Sequence, residues 1–279
     1  TMSCPALLAL AALLAAPAWA ARSPDGRLRW DEGDPAVTLV KRGGFSARGQ
    51  RVTLPPLEKG AKRRVVFAPA GERFAVLDQL SDAVSLHTDA PRGPRGAQAL
   101  VTGAVLRLMD LRGRVLWTKR LPETFSVGGE GGSGPLVLGS DGSSALLMQD
   151  ADPYTKAKPL ILVLDPKGRD ILRLDYTAWS RVDEMLLSGD GRWLAVRGIG
   201  RLPESDSWGS ALGHYRLEDG SRLVLSAGAA AGVRSLRGFD RDGRVCCLAE
   251  KKELAAYAHD GARTAFAPDE ADEIFGAAP

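Results

Sequence analysis

The chain has 279 residues, of which 44% are hydrophobic and 25% charged, with 32 glycines, 17 prolines and three cysteines. That length can bury a sizeable core, and the composition excludes both a disordered chain and a small disulfide scaffold. A formal net charge of +3 makes no case for nucleic acid.

Residues 1–20 carry no charge. The apolar stretch from Ala6 to Ala16 has the length of a signal-peptide core, short of the roughly 20 residues that span a bilayer. Pro17 breaks it, and Ala18-Trp19-Ala20 fits the small-x-small pattern of a cleavage site. The expectation is a signal peptide over 1–20 and one domain over 21–279, periplasmic or secreted, monomeric, with no transmembrane segment after cleavage. Cys4 precedes the apolar core, so it cannot be a lipid-carrying cysteine. Residues 21–121 hold 19 basic against 10 acidic side chains, and residues 122–279 hold 18 against 24. A dispersed, solvated surface is the simpler reading of that division, and a body oriented beside a partner is the other.

Two sets of turns then alternate along the chain. The first contains Gly26, Gly71, Gly142, Gly191 and Gly243, mostly in Asp-Gly pairs such as Ser140-Asp141-Gly142. Short apolar runs follow most of them: Phe74–Leu77, Ala145–Met148, Trp193–Val196 and Val245–Leu248. The second contains Gly49, Gly113, Gly168, Gly220 and Gly261, and lies between runs such as Val105–Met109 and Val115–Trp117, or Leu160–Leu164 and Ile171–Leu174. Asp-Gly between alternating apolar runs signals a hairpin, because glycine supplies the positive φ of the turn. From each second-set glycine to the next first-set glycine the spacings are 22, 29, 23 and 23 residues. From first set to second they are 23, 42, 26, 29 and 18. The unit therefore has four strands, a to d, with tight a–b and c–d turns and a variable b–c connection.

Four-stranded antiparallel units at this period predict an all-β fold, a β-propeller of five blades, with four blades plus an N-terminal extension as the alternative. Ser188-Gly189-Asp190-Gly191-Arg192-Trp193-Leu194-Ala195-Val196 is the clearest copy, and Ser23-Pro24-Asp25-Gly26-Arg27 carries the motif core. The pattern resembles the WD-like repeat of exported bacterial propellers, such as the periplasmic propeller of the Tol-Pal system. The resemblance implies architecture and little about activity. Asp110 to Trp117 also looks like the Asp…Gly-x-Val-Leu-Trp repeat of quinoprotein dehydrogenase propellers. Only one unit carries that Trp, so Trp117 reads as a packing residue between blades.

Chemistry-bearing motifs are sparse. His87, His214 and His259 stand apart in sequence, and no nucleophile elbow or phosphate loop is present. Gly128 to Gly134 reads as a connection between blades. Cys246 and Cys247 would point to opposite faces of a strand, one into the core and one outward; a strained vicinal disulfide is the sharper alternative. Neither a metal nor another cofactor is expected, nor a catalytic residue.

The variable b–c connections place the binding face, since long loops on a rigid scaffold carry binding residues. That face holds Arg92 and Arg95, Asp152 and Tyr154, and Glu204, Asp206 and Trp208. The expected function is a binding or scaffolding module for a protein or glycan of the cell envelope. A small hydrolase or quinone-type oxidoreductase using the central funnel is the alternative. Finally, cleavage after Ala20 leaves few residues for strand a of the first blade, and Glu273 to Ala277 is the apolar run placed to supply it. The expectation is closure of the ring by the C-terminus.

Overall fold

The computed structural model describes residues 21–40, 50–82, 101–121, 125–127, 136–150, 159–226, 232–249 and 253–266. Among them there are strands and turns and no helix. Blade 1 contains β1 (Ala21–Arg22), β2 (Leu28–Trp30), β3 (Ala36–Leu39) and β4 (Arg51–Thr53). Blade 2 contains β5 (Lys62–Phe67), β6 (Arg73–Asp82), β7 (Val101–Asp110) and β8 (Val115–Leu121). Blade 3 contains β9 (Phe125–Val127), β10 (Leu136–Leu138), β11 (Ser144–Asp150), β12 (Pro159–Leu164) and β13 (Asp170–Leu174). Blade 4 contains β14 (Trp179–Leu187), β15 (Trp193–Arg201), β16 (Trp208–Arg216) and β17 (Arg222–Ser226). Blade 5 contains β18 (Ser235–Phe239), β19 (Val245–Leu248), β20 (Leu254–Tyr257) and β21 (Arg263–Phe266).

Each blade is an antiparallel meander in chain order, and the chain is a five-bladed β-propeller. The first strands are neighbours in sequence of blades, β1 beside β5, β5 beside β10, β10 beside β14 and β14 beside β18. Both sets of predicted turns form. Gly26, Gly71, Gly142, Gly191 and Gly243 all have positive φ, as do Gly113, Gly168, Gly220 and Gly261; Gly49 lies outside the described residues. The Ser-x-Asp-Gly turns are locked by their own side chains. Ser188 Oγ donates to Asp190 Oδ1 at 2.6 Å and accepts the Trp193 amide at 2.9 Å. Ser23 repeats this with Asp25 and the Leu28 amide. Such local bonds satisfy the backbone donors that a tight turn leaves open.

Successive a–b turns also touch one another. Gly71 lies against the Asp25 carboxylate, where a methyl group would sit 3.1 Å from Oδ2. Arg73 Nη1 donates to the Asp141 carbonyl, the Ser140 amide donates to the Gly189 carbonyl at 2.8 Å, and Gly243 packs on the Trp193 indole. The turn face is thus fastened from blade 1 to blade 5.

Apolar clusters fill the seams between blades. Leu28, Trp30 and Val52 meet Phe67, Phe74 and Met109 between blades 1 and 2. Leu106 and Leu108 meet Leu146, Met148 and Leu162 between blades 2 and 3. Ile161 and Val163 meet Trp179, Leu194 and Tyr215 between blades 3 and 4. Ala195 and Leu212 meet Val245, Cys247 and Tyr257 between blades 4 and 5. At roughly 25 cal/mol per Å² of apolar surface, these seams hold the blades together. Trp117 packs against blade 3 as expected, its Nε1 donating to the Pro166 carbonyl at 2.9 Å.

Two expectations change. Strand a of blade 1 is β1 itself, which pairs Ala21 with Trp30 and Arg22 with Arg29. It has two residues and its partner β2 three; Glu273 to Ala277, expected to close the ring, lie outside the described residues. Cys246 and Cys247 face opposite ways, but both are fully buried and free. A strand in a stack of blades is covered on both faces, so neither side is an outside. Strand a of blade 3 comes in two pieces, β9 and β10, both paired with β11. Gly128 to Gly134, expected as a connection between blades, lie outside the described residues.

Candidate binding face

The b–c connections emerge opposite the fastened turn face. Arg92, Arg95, Asp152 and Tyr154 fall outside the described residues, whereas Glu204, Asp206 and Trp208 cap the hairpin of β15 and β16. Nine consecutive pairs, from Trp193 with Arg216 to Arg201 with Trp208, form that hairpin without a register shift.

Its outer half is bolted by Trp179. The indole fits because β15 and β16 carry glycine where it crosses them: a methyl group on Gly213 would lie 2.6 Å from it, and one on Gly200 would lie 3.0 Å from it. Trp179 Nε1 donates to Tyr215 Oη at 2.7 Å inside the blade 3–4 seam. Burial pushes the Tyr215 phenol up to about 12, so it stays a neutral hydrogen-bonding partner.

The tip is ordered by polar contacts. Arg201 donates Nε and Nη2 to the two Asp206 oxygens at 2.6 and 2.8 Å, a fork-to-fork pair. That hydrogen bonding, and then the guanidinium charge, lowers the Asp206 carboxyl below its ordinary value. The Leu202 amide donates to the Ser207 carbonyl at 2.8 Å and the Asp206 amide to the Leu202 carbonyl at 2.9 Å. Asp206 holds a φ of 50°, a left-handed conformation otherwise taken by glycine among the described residues. Beside this tip Trp208 is 47% exposed, and Glu204 is exposed at the apex. A cleft of about 330 Å³ under the tip is lined by Thr177, Arg201, Leu202, Asp206, Tyr215 and Arg222. The sequence singled out Asp206 and Trp208 but missed Arg201, which reaches Asp206 through a tight loop that a list of exposed charges does not show.

The turn face has its own polar cluster, at the seam of blades 4 and 5. A cleft of about 410 Å³ is lined by Arg192, Trp193, Arg216, Glu218, Arg241 and Asp242, among others. Behind it the rings of Trp193, His214 and His259 pack together, with His214 4.8 Å from Trp193 and 5.2 Å from His259, centroid to centroid. The fold thus joins two histidines that stand apart in sequence. Both His214 ring nitrogens are buried without a hydrogen-bond partner among the described residues. Burial, and secondarily the neighbouring His259, pulls the His214 pKa down to about 4. Ser221 Oγ and His259 Nε2 are 3.0 Å apart. The His259 Nδ1 has no acceptor among the described residues, so the third group that would orient a base is missing there. Cys246 is equally inert, its thiol pushed up to about 11 by burial. Among the described residues no group of three histidine, cysteine or carboxylate side chains is placed to hold a metal.

No protein-family model matches the chain. No curated protein matches it either. Solved structures of similar fold include TolB from Acinetobacter baumannii, at 17% identity and a TM-score of 0.39, covering 87% of this chain and 52% of that one. Hydrazine synthase from Kuenenia stuttgartiensis is similar at 13% identity and a TM-score of 0.47, covering 86% and 64%. The β-propeller domain of the Trilobed protease from Pyrococcus furiosus is similar at 13% identity and 0.42, covering 75% and 58%. The chain thus spans between half and two thirds of the length of these structures. What it shares with them is the propeller architecture, here in five sheets built on four-stranded meanders.

Proposed function

We propose that this chain is an exported binding module whose long-loop face recognises a protein partner, with Trp208 as its anchor. The observation that carries the reading is a large indole left 47% exposed on a tip held rigid by nine strand pairs and the Arg201–Asp206 fork. Exposing an indole forgoes favourable burial, and holding it on a stiff support removes the ordering cost that a partner would otherwise meet on binding. Aromatic anchors of this kind dominate the energy of many interfaces. The uncharged apolar segment over 1–20 supports export. Glu204 belongs to this tip, and Arg92, Arg95, Asp152 and Tyr154, outside the described residues, are proposed with it as the polar rim. The test is a Trp208→Ala variant. It should melt with the parent, since the indole is exposed, and lose the envelope protein that the parent captures. Equal capture by parent and variant would remove this face from consideration.

A further inference from the structure

On β16, residues Trp208, Ser210, Leu212 and His214 share the side that faces blade 5: Leu212 packs in the blade 4–5 cluster and His214 lies 5.8 Å from Phe239. The unbroken register with β15 puts Arg201, Ile199 and Arg197 opposite Trp208, Ser210 and Leu212 on that side. Where this surface meets the entry to blade 5, a cleft of about 350 Å³ opens, lined by Arg181, Asp183, Arg197, Ser210 and Arg234, among others. Trp208 is one strand repeat beyond Ser210, at the outer rim.

Positive charge in this cleft exceeds its compensation. Asp183 is taken up by Arg181, at 2.8 and 3.2 Å, and lies 3.5 Å from Arg197. Glu184 Oε1 accepts from Arg197 at 3.2 Å, and its Oε2 is committed to the Leu236 amide of β18 at 2.6 Å. Arg181 and Arg197 therefore engage the two carboxylates, and Arg234 adds a third guanidinium to the cleft. Arg234 is exposed, and its side chain has no partner among the described residues. Arg197 keeps a buried Nε–H without an acceptor, and a buried donor left unpaired favours any ligand that brings it an oxygen.

We propose that this cleft receives a carboxylate of an acidic peptide segment of the partner, with the adjoining residue packing on Trp208. The inference rests on the long-loop face being the binding face, and it specifies the chemistry bound there. Guanidiniums of Arg197 and Arg234 flank an opening large enough for a glutamate side chain, and Arg forks match carboxylate geometry. Ser210 adds a hydroxyl donor.

The test titrates the full chain with a capped tetra-glutamate peptide and with its tetra-glutamine counterpart by calorimetry. The glutamate peptide should bind saturably and the glutamine peptide should not. Arg234→Gln should weaken binding about fivefold while the melting temperature is unchanged, because Arg234 is exposed. Raising salt from about 50 to about 300 mM should weaken it further. Undiminished binding to Arg234→Gln, or no saturable binding to the glutamate peptide, overturns the inference. Displacement by inorganic phosphate at equal concentration also overturns it, marking a small-anion site. If Trp208→Ala loses the envelope partner while Arg234→Gln retains it, the acidic-segment inference fails and the binding face stands.

Discussion

The seam between blades 2 and 3 and the seam between blades 4 and 5 are made by equivalent strands, yet they differ in what they bury. The first has an aliphatic middle, with Leu106, Leu108, Leu146, Met148 and Leu162 interdigitated, and Trp117 packed at its edge. The second has a smaller apolar middle, containing Ala195, Ala255 and Cys247, and polar groups at each end. The turn-face end holds His214 and His259. The loop-face end holds Arg197 and Glu184, the latter bonded across the seam to Leu236. The first seam is dominated by large aliphatic side chains, and the second carries titratable and ionic groups at its ends. The difference teaches that blade repetition does not make seams equivalent, since each strand's two faces belong to different neighbours.

The sharpest way to break this comparison is to empty the aliphatic seam. We expect Leu106→Ala to cost about 3 kcal/mol in chemical denaturation, from lost burial and the cavity left behind. A loss under about 1 kcal/mol would mean that this seam relaxes and is not the rigid one.

Acid should separate the two seams next. His214 titrates near 6.5 when unfolded and at about 4 when folded. The folded pKa is depressed, so this residue's contribution is complete above pH 6.5 and is lost as pH falls towards 4. The loss amounts to about 3 kcal/mol over that window. Denaturation at pH 7 and near pH 4.5 should show a clear drop in the parent. His214→Leu should show a visibly smaller one, because only His259, whose pKa burial also lowers, and the carboxylates then contribute. Parallel losses in the two proteins would reassign the acid sensitivity to His259 and the carboxylates.

The smallest effect is expected at the rim of the aliphatic seam, where Lys119 pairs with the exposed Asp170. Lys119→Met should change stability by less than about 1 kcal/mol, as exposed pairs generally do. A larger change would show that the rim contributes to holding the seam.

Much of the architecture was legible because glycine marks turns regardless of what surrounds it. The spacing of Gly113, Gly142, Gly168 and Gly191 was enough to count strands. Strand ends were less legible: β15 continues to Arg201, beyond the apolar run that ends at Val196, because Gly198 and Gly200 are strand residues that make room for neighbours. The paired histidines could not be read at all. His214 and His259 meet only because β16 and the last turn of blade 5 face each other across a seam, a relation carried by packing and absent from any short window. Cys246 misled for a related reason. Alternation distinguishes two faces of a strand, but in a stack both faces are interior. At the long-loop face the exposed loop was legible and its rigidity was not, since the fork between Arg201 and Asp206 depends on how the loop closes.

The chain of contacts among the a–b turns has a consequence for how such a molecule can be altered. Asp25 with Gly71, Arg73 with the Asp141 carbonyl, Ser140 with Gly189 and Trp193 with Gly243 form a continuous row on one face, from blade 1 to blade 5. An insertion there displaces two blades at once, because every turn is also its neighbour's support. An insertion in a b–c connection displaces neither, and its entropic penalty grows only with the logarithm of loop length. That row therefore leaves the opposite face free to diverge. New recognition loops can be transplanted onto Leu202–Ser207 as onto an interchangeable tool head, with the handle untouched.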